Sequence, residues 1–185
     1  GTRFRILNII DEGTREALDV IVDTSLPAVR VVRALEQLKT ERGVPDMIRV
    51  DNGSEMTSST FKNGVKIITL RSVILSQGSQ IRTPIERFNR SYRTEVLNPH
   101  LFSSLNQVRE LSWAWMLSYN EERLHESLGN LPPNIFKKKL TEEVSSYELR
   151  LTVSLREYLS TEYLFSFYIE CLQQYFLNLV CDRCL

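Results

Sequence analysis

Two acids of this chain, Asp51 and Glu86, sit in surroundings that could do chemistry. Asp51 ends the apolar run Met47-Ile48-Arg49-Val50 and opens Asp51-Asn52-Gly53-Ser54-Glu55. Glu86 lies within Ile85-Glu86-Arg87-Phe88-Asn89-Arg90-Ser91-Tyr92-Arg93. A carboxylate where a strand runs out, and another on an arginine-rich helix, fit divalent-metal phosphodiester chemistry. In that chemistry two Mg²⁺ ions about 4 Å apart stabilise the attacking and leaving oxygens, and carboxylates are the hard ligands that hold them. Arg87, Arg90 and Arg93 recur every third position, so they share roughly one helix face and could grip phosphates. Asn89 and Tyr92 add neutral donors for backbone contacts. Each feature also has a plainer reading. Asp-Asn-Gly is a common turn, Glu86 with Arg90 is an i,i+4 pair that would stabilise any exposed helix, and an arginine run is usually a solvated face. Spacing alone leaves the two readings balanced.

The elements that must position these residues are legible in outline. Phe4–Ile10 reads as a strand closed by Asp11-Glu12-Gly13, and Ala17–Asp23 as its hairpin partner. Ser25 and Pro27 open a helix whose stripe Val29, Val32, Leu35, Leu38 ends at Gly43. Met47–Val50 is a third strand, entered after a helix and so expected to run parallel to a neighbour. Val65-Lys66-Ile67-Ile68 reads as a fourth. This β-β-α-β-β order predicts an α/β mixed sheet with a crossover helix. Thr83-Pro84 starts a helix over 84–98, and a longer one runs from about Ser104 to Glu121 with Leu105, Val108, Leu111 and Trp115 on one side.

The chain has 185 residues, 42% hydrophobic, with Lys+Arg and Asp+Glu both 23. It can bury one ordinary core, and a balanced charge argues against a basic coat protein while leaving local patches open. No apolar run reaches the ~18 residues of a membrane span. The three cysteines, Cys171, Cys181 and Cys184, fall near the C-terminus and read as free thiols. The expected compartment is cytoplasmic. His125 has no second histidine at ligand spacing, which favours a hydrogen-bonding role over metal binding. Beyond residue 140 the character changes. Aromatic residues crowd a stretch with no clean period, so 1–140 is expected to be the domain and 141–185 a helical or disordered appendage.

Taken together, "RVDNGSE", "IERFNRSYRTEVL", "YNEERLHESLGNLPP" and the stretch "FRILNIIDEGTREALDVIVDTSLPAVRVVRALEQL" resemble the retroviral-integrase-like transposases of bacterial insertion sequences. The likeness spans roughly residues 3–140. It implies a ribonuclease-H-like fold and an Asp-Asp-Glu triad on Mg²⁺ (or Mn²⁺) that cuts and joins DNA ends. On that resemblance Asp51 is the second acid and Glu86 the third, both catalytic and both metal ligands. Asn52, Arg87, Asn89, Arg90, Arg93 and Lys66 would face DNA. Transposon ends and target DNA would be the partners, with a homo-oligomer when intact and no membrane. Tyr119, Asn120, Arg123 and His125 match a motif expected to support the site. The family's first acid lies on an opening strand ahead of residue 4, so the expected sheet lacks its first strand and cleavage is expected to be impaired. The alternative is a non-catalytic remnant that binds DNA or intact transposase. Asp11 fits a generic acid order, but matches a family position that ends a strand and is not a ligand. Residues 76–84 replace the family's Pro-Gly-Lys-Pro loop, an interruption that two compensating frame changes would produce.

Overall fold

The computed structural model describes residues 3–50, 54–68, 71–74, 84–143 and 176–183. Strand β1 (Arg5–Asp11) and strand β2 (Ala17–Asp23) form the expected antiparallel hairpin, with Leu7 opposite Ile21 and a register shift between Ile9 and Ile10. Helix α1 (Ala28–Arg42) follows, then β3 (Met47–Val50), a short α2 (Ser54–Thr57), α3 (Ser59–Ile68) and β4 (Arg71–Ile74). Helix α4 (Pro84–Tyr92) continues into a π turn over Arg93–Leu97, and α5 (Leu105–Glu121) follows. A sixth helix, α6, occupies 133–143, and the last strand is β5 (Phe176–Arg183).

The sheet order is β2-β1-β5-β3-β4. β5 runs antiparallel to β1 and parallel to β3, and β3 is parallel to β4. The C-terminal strand is therefore the centre of the sheet, joining the hairpin half to the β3–β4 half. Over 176–183 a strand thus stands where a helical or disordered appendage over 141–185 is expected, while 144–175 lie outside the described residues. An edge strand as apolar as β1 exposes unpaired N–H and C=O groups, and pairing them with a second apolar strand removes that exposure. α6 likewise runs past residue 140.

Alternation along the strands divides the core in two. Leu7, Ile9, Ile48 and Val50 point to one face, under Leu35 of α1, Met56 of α2 and Phe61 of α3. Ile6, Ile10 and Val22 point to the other, under α4, the π turn and α5.

Three local expectations need correction. Residues 65–68 are helix, not strand. Phe61, Val65 and Ile68 are buried at helical spacing against α1, while Lys66 and Ile67 are exposed. Gly64 makes that contact close, because a Cβ there would stand 2.6 Å from both γ-methyls of Val32. The fourth strand is β4 instead. In α1 the buried stripe is Val31, Leu35 and Leu38, and Val29 is 57% exposed. Pro27 occupies the cap position with no side-chain hydrogen bond, so Ser25 does not cap the helix. The α5 expectation holds: Ser104 Oγ accepts the Gln107 N–H at 3.3 Å, and Val108 is buried with Leu105, Leu111 and Trp115 packed beside it.

Candidate nucleic-acid and metal site

Asp51, Asn52 and Gly53 lie outside the described residues. What is described is the strand that delivers Asp51, since β3 ends at Val50, and the helix that carries Glu86. α4 packs on β1 and β5. Its buried residues Ile85, Phe88 and Tyr92 face the sheet and α5, which turns Glu86, Arg87 and Arg90 outward. Glu86 occupies the first turn, where the helix dipole favours an acid.

One hydrogen bond fixes α4 against the sheet. Asn8 of β1, 1% exposed, donates from Nδ2 to Asn89 Oδ1 at 2.7 Å. Asn8 pairs with Val180 in the register of β1 and β5, while Val50 pairs with Leu179 in that of β3 and β5. The Asn8 row thus lies one residue beyond Val50 across the sheet. Asn8 Oδ1 is buried with no hydrogen-bond partner among the described residues.

Asp11 is committed elsewhere. Its Oδ1 accepts the N–H groups of Gly13 at 2.7 Å and Thr14 at 3.3 Å, which closes the β1–β2 turn. Burial pushes its carboxyl above the usual range against those hydrogen bonds.

The motif of residues 119–130 builds a second wall opposite α4. Between the walls is a cleft of about 730 Å³ whose lining includes Glu86, Arg87, Arg90, Arg123, His125 and Arg15. Asn120 is a buried clamp: Ala17 N–H donates to its Oδ1 at 2.8 Å, and its Nδ2 donates to Ala17 O at 2.9 Å. Arg123 lies over the rings of Trp115 and Tyr119, with its guanidinium carbon 5.9 and 5.5 Å from their centroids. It bonds Glu95, which also accepts Trp115 Nε1–H at 2.7 Å. Burial acts to raise the Glu95 carboxyl, but the Arg123 and Trp115 hydrogen bonds prevail and hold it low. Tyr119 packs edge-on to Phe88 and His125 with centroids 4.9 and 5.2 Å away. Burial, reinforced by Arg123, Arg15 and Arg87, pushes the His125 imidazole down to about 4. Burial pushes the Tyr119 phenol up to about 12, although the same three arginines oppose it.

Of the residues expected at the site, Glu86, Arg87 and Arg90 line the cleft, and half-buried Asn89 accepts from Asn8 through its Oδ1. Arg93 opens the π turn and is not part of the lining. Lys66 is exposed on α3, on the sheet face opposite α4. Sequence reading did not single out Arg15, because its place depends on a left-handed backbone (φ 61°) in the hairpin turn. Nor did it single out Asn8, an amide amid an apolar strand, which is itself a signal. A buried amide needs a partner, and a polar helix face is where one would be found.

Comparison with known proteins gives the same lineage. Residues 77–133 match the integrase core domain family. Over 135 residues the chain is 37% identical to the insertion element IS476 uncharacterized 39.2 kDa protein of Xanthomonas euvesicatoria, covering 72% of this chain and 39% of that protein. It is also 37% identical, over 144 residues, to the insertion element IS407 uncharacterized 31.7 kDa protein of Burkholderia multivorans, covering 75% of this chain and 50% of that one. The chain thus spans half or less of the length of these relatives. Its fold is similar to the HTLV-2 integrase catalytic core domain solved in complex with magnesium (TM-score 0.50, 15% identity, 70% of this chain and 82% of that one). It is likewise similar to a chain of the simian T-cell lymphotropic virus intasome solved with a PP2A regulatory subunit (TM-score 0.51, 16% identity, 64% of this chain and 43% of that one). The chain is thus similar over residues 77–133 to integrase core domains and over most of its length to proteins of insertion elements, on a mixed sheet of the integrase-core, ribonuclease-H-like kind.

Proposed function

We propose that this chain is the catalytic-core part of an insertion-element transposase, binding DNA along α4 and the cleft beside it. The observation that carries this reading is the pairing of Glu86 with unpartnered arginines on one outward helix face. Arg87 and Arg90 have no carboxylate partner among the described residues. In this reading they hold backbone phosphates, which fixes the register of a strand without reading its sequence.

A divalent cation fits the donors available. Glu86 is an exposed hard-oxygen ligand, Asp51 directly follows the last residue of β3, and Asn8 leaves a buried oxygen unpartnered in the neighbouring row. Asp51 and Glu86 would hold Mg²⁺ or Mn²⁺, which when bound supplies charge stabilisation at the reacting phosphate. The protein's own part is to hold Glu86 rigidly through the Asn8–Asn89 bond and to keep the phosphate against Arg87 and Arg90. Asp11, the remaining acid in suitable order, is engaged in its turn. Asp51 and Glu86 are thus the two acids these residues bring to the site. A homo-oligomer on transposon ends and target DNA is the corresponding assembly of the whole protein.

Mobility-shift titration over a range of salt tests the reading. Affinity should fall log-linearly with salt, and Arg87→Gln with Arg90→Gln should lower the slope on duplex DNA by about 1.8. Binding insensitive to salt or to both substitutions would refute it.

A further inference from the structure

The cleft has a wall that the α4 reading does not use. Arg15 comes from the β1–β2 turn, Arg87 from α4 and Arg123 from just beyond α5, yet all three line the same cleft as His125 and Tyr119. Three elements far apart in sequence thus aim guanidinium groups at one small volume. Arg15 is held there at a conformational cost, since a non-glycine residue at φ 61° is sparsely populated. Its Nη1 donates to Glu12 O at 2.6 Å and its Nε to Ser127 Oγ at 3.3 Å, so the side chain is held between its own turn and the 119–130 wall. It has no ion pair among the described residues. Against the arginines stand Glu86 and Glu126 on the cleft lining, which leaves the cationic groups in excess. His125 Nε2 is buried without a partner among the described residues, and Leu124 beside it is 65% exposed.

We infer that this cleft is a subsite for one nucleotide of a single DNA strand, with Arg15 and Arg87 on its phosphate and its base against Leu124 and His125. The inference rests on the DNA-binding reading and extends it to a second wall. A volume of about 730 Å³ is of the size that takes a small ligand rather than the side of a duplex. A cationic groove with a flat ring beside it is what sequence-tolerant single-strand sites use.

The test uses the full 185-residue chain and a labelled 12-nucleotide single strand, titrated at several salt concentrations. Arg15→Gln should lower the salt slope by about 0.7, the share of one phosphate contact on single strands. Arg33→Gln, on the exposed face of α1, should leave the slope unchanged. Leu124→Glu adds a carboxylate at an exposed position that folding does not need, and should weaken binding at least about tenfold. A thermal melt confirms that each variant is folded. If Arg15→Gln unfolds the chain, Leu124→Glu decides alone. Unchanged single-strand affinity in a folded Arg15→Gln or in Leu124→Glu overturns the cleft subsite, while duplex binding that still depends on Arg87 and Arg90 would leave the broader reading standing. Absence of any DNA binding by the unmodified chain overturns both.

Discussion

Replacing Asn120 by Leu should cost far more than a polar-to-apolar change on a helix end ordinarily would. Asn120 is 7% exposed, and its amide satisfies both backbone groups of Ala17, the first residue of β2. Leucine fills a similar volume but strands one N–H and one C=O. Each buried orphan costs roughly 1–3 kcal/mol, so a loss of about 3 kcal/mol is expected. For a chain of this length that lowers Tm by about 6–12 °C. Asn120→Asp separates hydrogen bonding from shape. The carboxylate still accepts from Ala17 N–H but repels Ala17 O, whereas the protonated acid can donate to it. Burial beside a carbonyl raises the introduced group's folded pKa above its unfolded value, so the folded state binds the proton more tightly. Stability of this variant should therefore rise as pH falls through that folded pKa, and level off near the unfolded value. Urea unfolding of both variants between pH 4 and 8 measures the effect. An Asn120→Leu protein within about 0.5 kcal/mol of the parent would refute the clamp, and with it the view that this motif residue holds the cleft wall to the sheet.

Other consequences concern packing, titration and the central strand. Gly64→Val should cost about 2–3 kcal/mol by overpacking α1 against α3, and Val32→Ala in the same chain should recover at least half of it; a double-mutant cycle measures the coupling. His125 is held neutral, chiefly by burial and then by Arg123, Arg15 and Arg87, with its pKa down to about 4. Its folded pKa lies below its unfolded one, so its contribution is present above about 6.5 and is lost as pH falls toward 4. Urea midpoints of the parent should fall across that window more steeply than those of His125→Phe, and parallel curves would contradict this. Deleting residues 176–185 should split the β2-β1 pair from the β3-β4 pair, leaving a chain that trypsin cuts rapidly within β1 or β3; unchanged proteolysis would show that β5 is dispensable.

The sequence displayed most of what local chemistry decides. The β1–β2 hairpin, α1 ending at Gly43, the strand before Asp51 and the capped α5 all follow from alternation, helical stripes and punctuation by Gly, Pro and Ser. Residues 65–68 were misread because a four-residue apolar run fits a buried strand and the end of a helix equally well. The discriminating signal was Phe61, which extends the spacing to Val65 and Ile68. β5 was illegible for a different reason. Phe-Leu-Asn-Leu-Val-Cys shows no strict alternation, and nothing in it points to partners as far off in sequence as β1 and β3. Of the cleft lining, Glu86, Arg87 and Arg90 could be placed on one helix from the sequence, though their spacing alone fitted a solvated face equally well. Arg15 could not, because what places it is tertiary, a hairpin turn folded against residue 127; Asn8 left a signal as an amide in an apolar strand, but its partner beneath α4 was not legible.

The most direct test of the account incubates the purified 185-residue chain with duplex DNA and Mn²⁺, scoring complex and strand breaks in the same reaction. The account predicts a complex that salt dissolves and that Arg87→Gln with Arg90→Gln weakens. Any breaks should vanish in Asp51→Asn and in Glu86→Gln, and a complex that neither salt nor the arginine substitutions weaken would contradict the account.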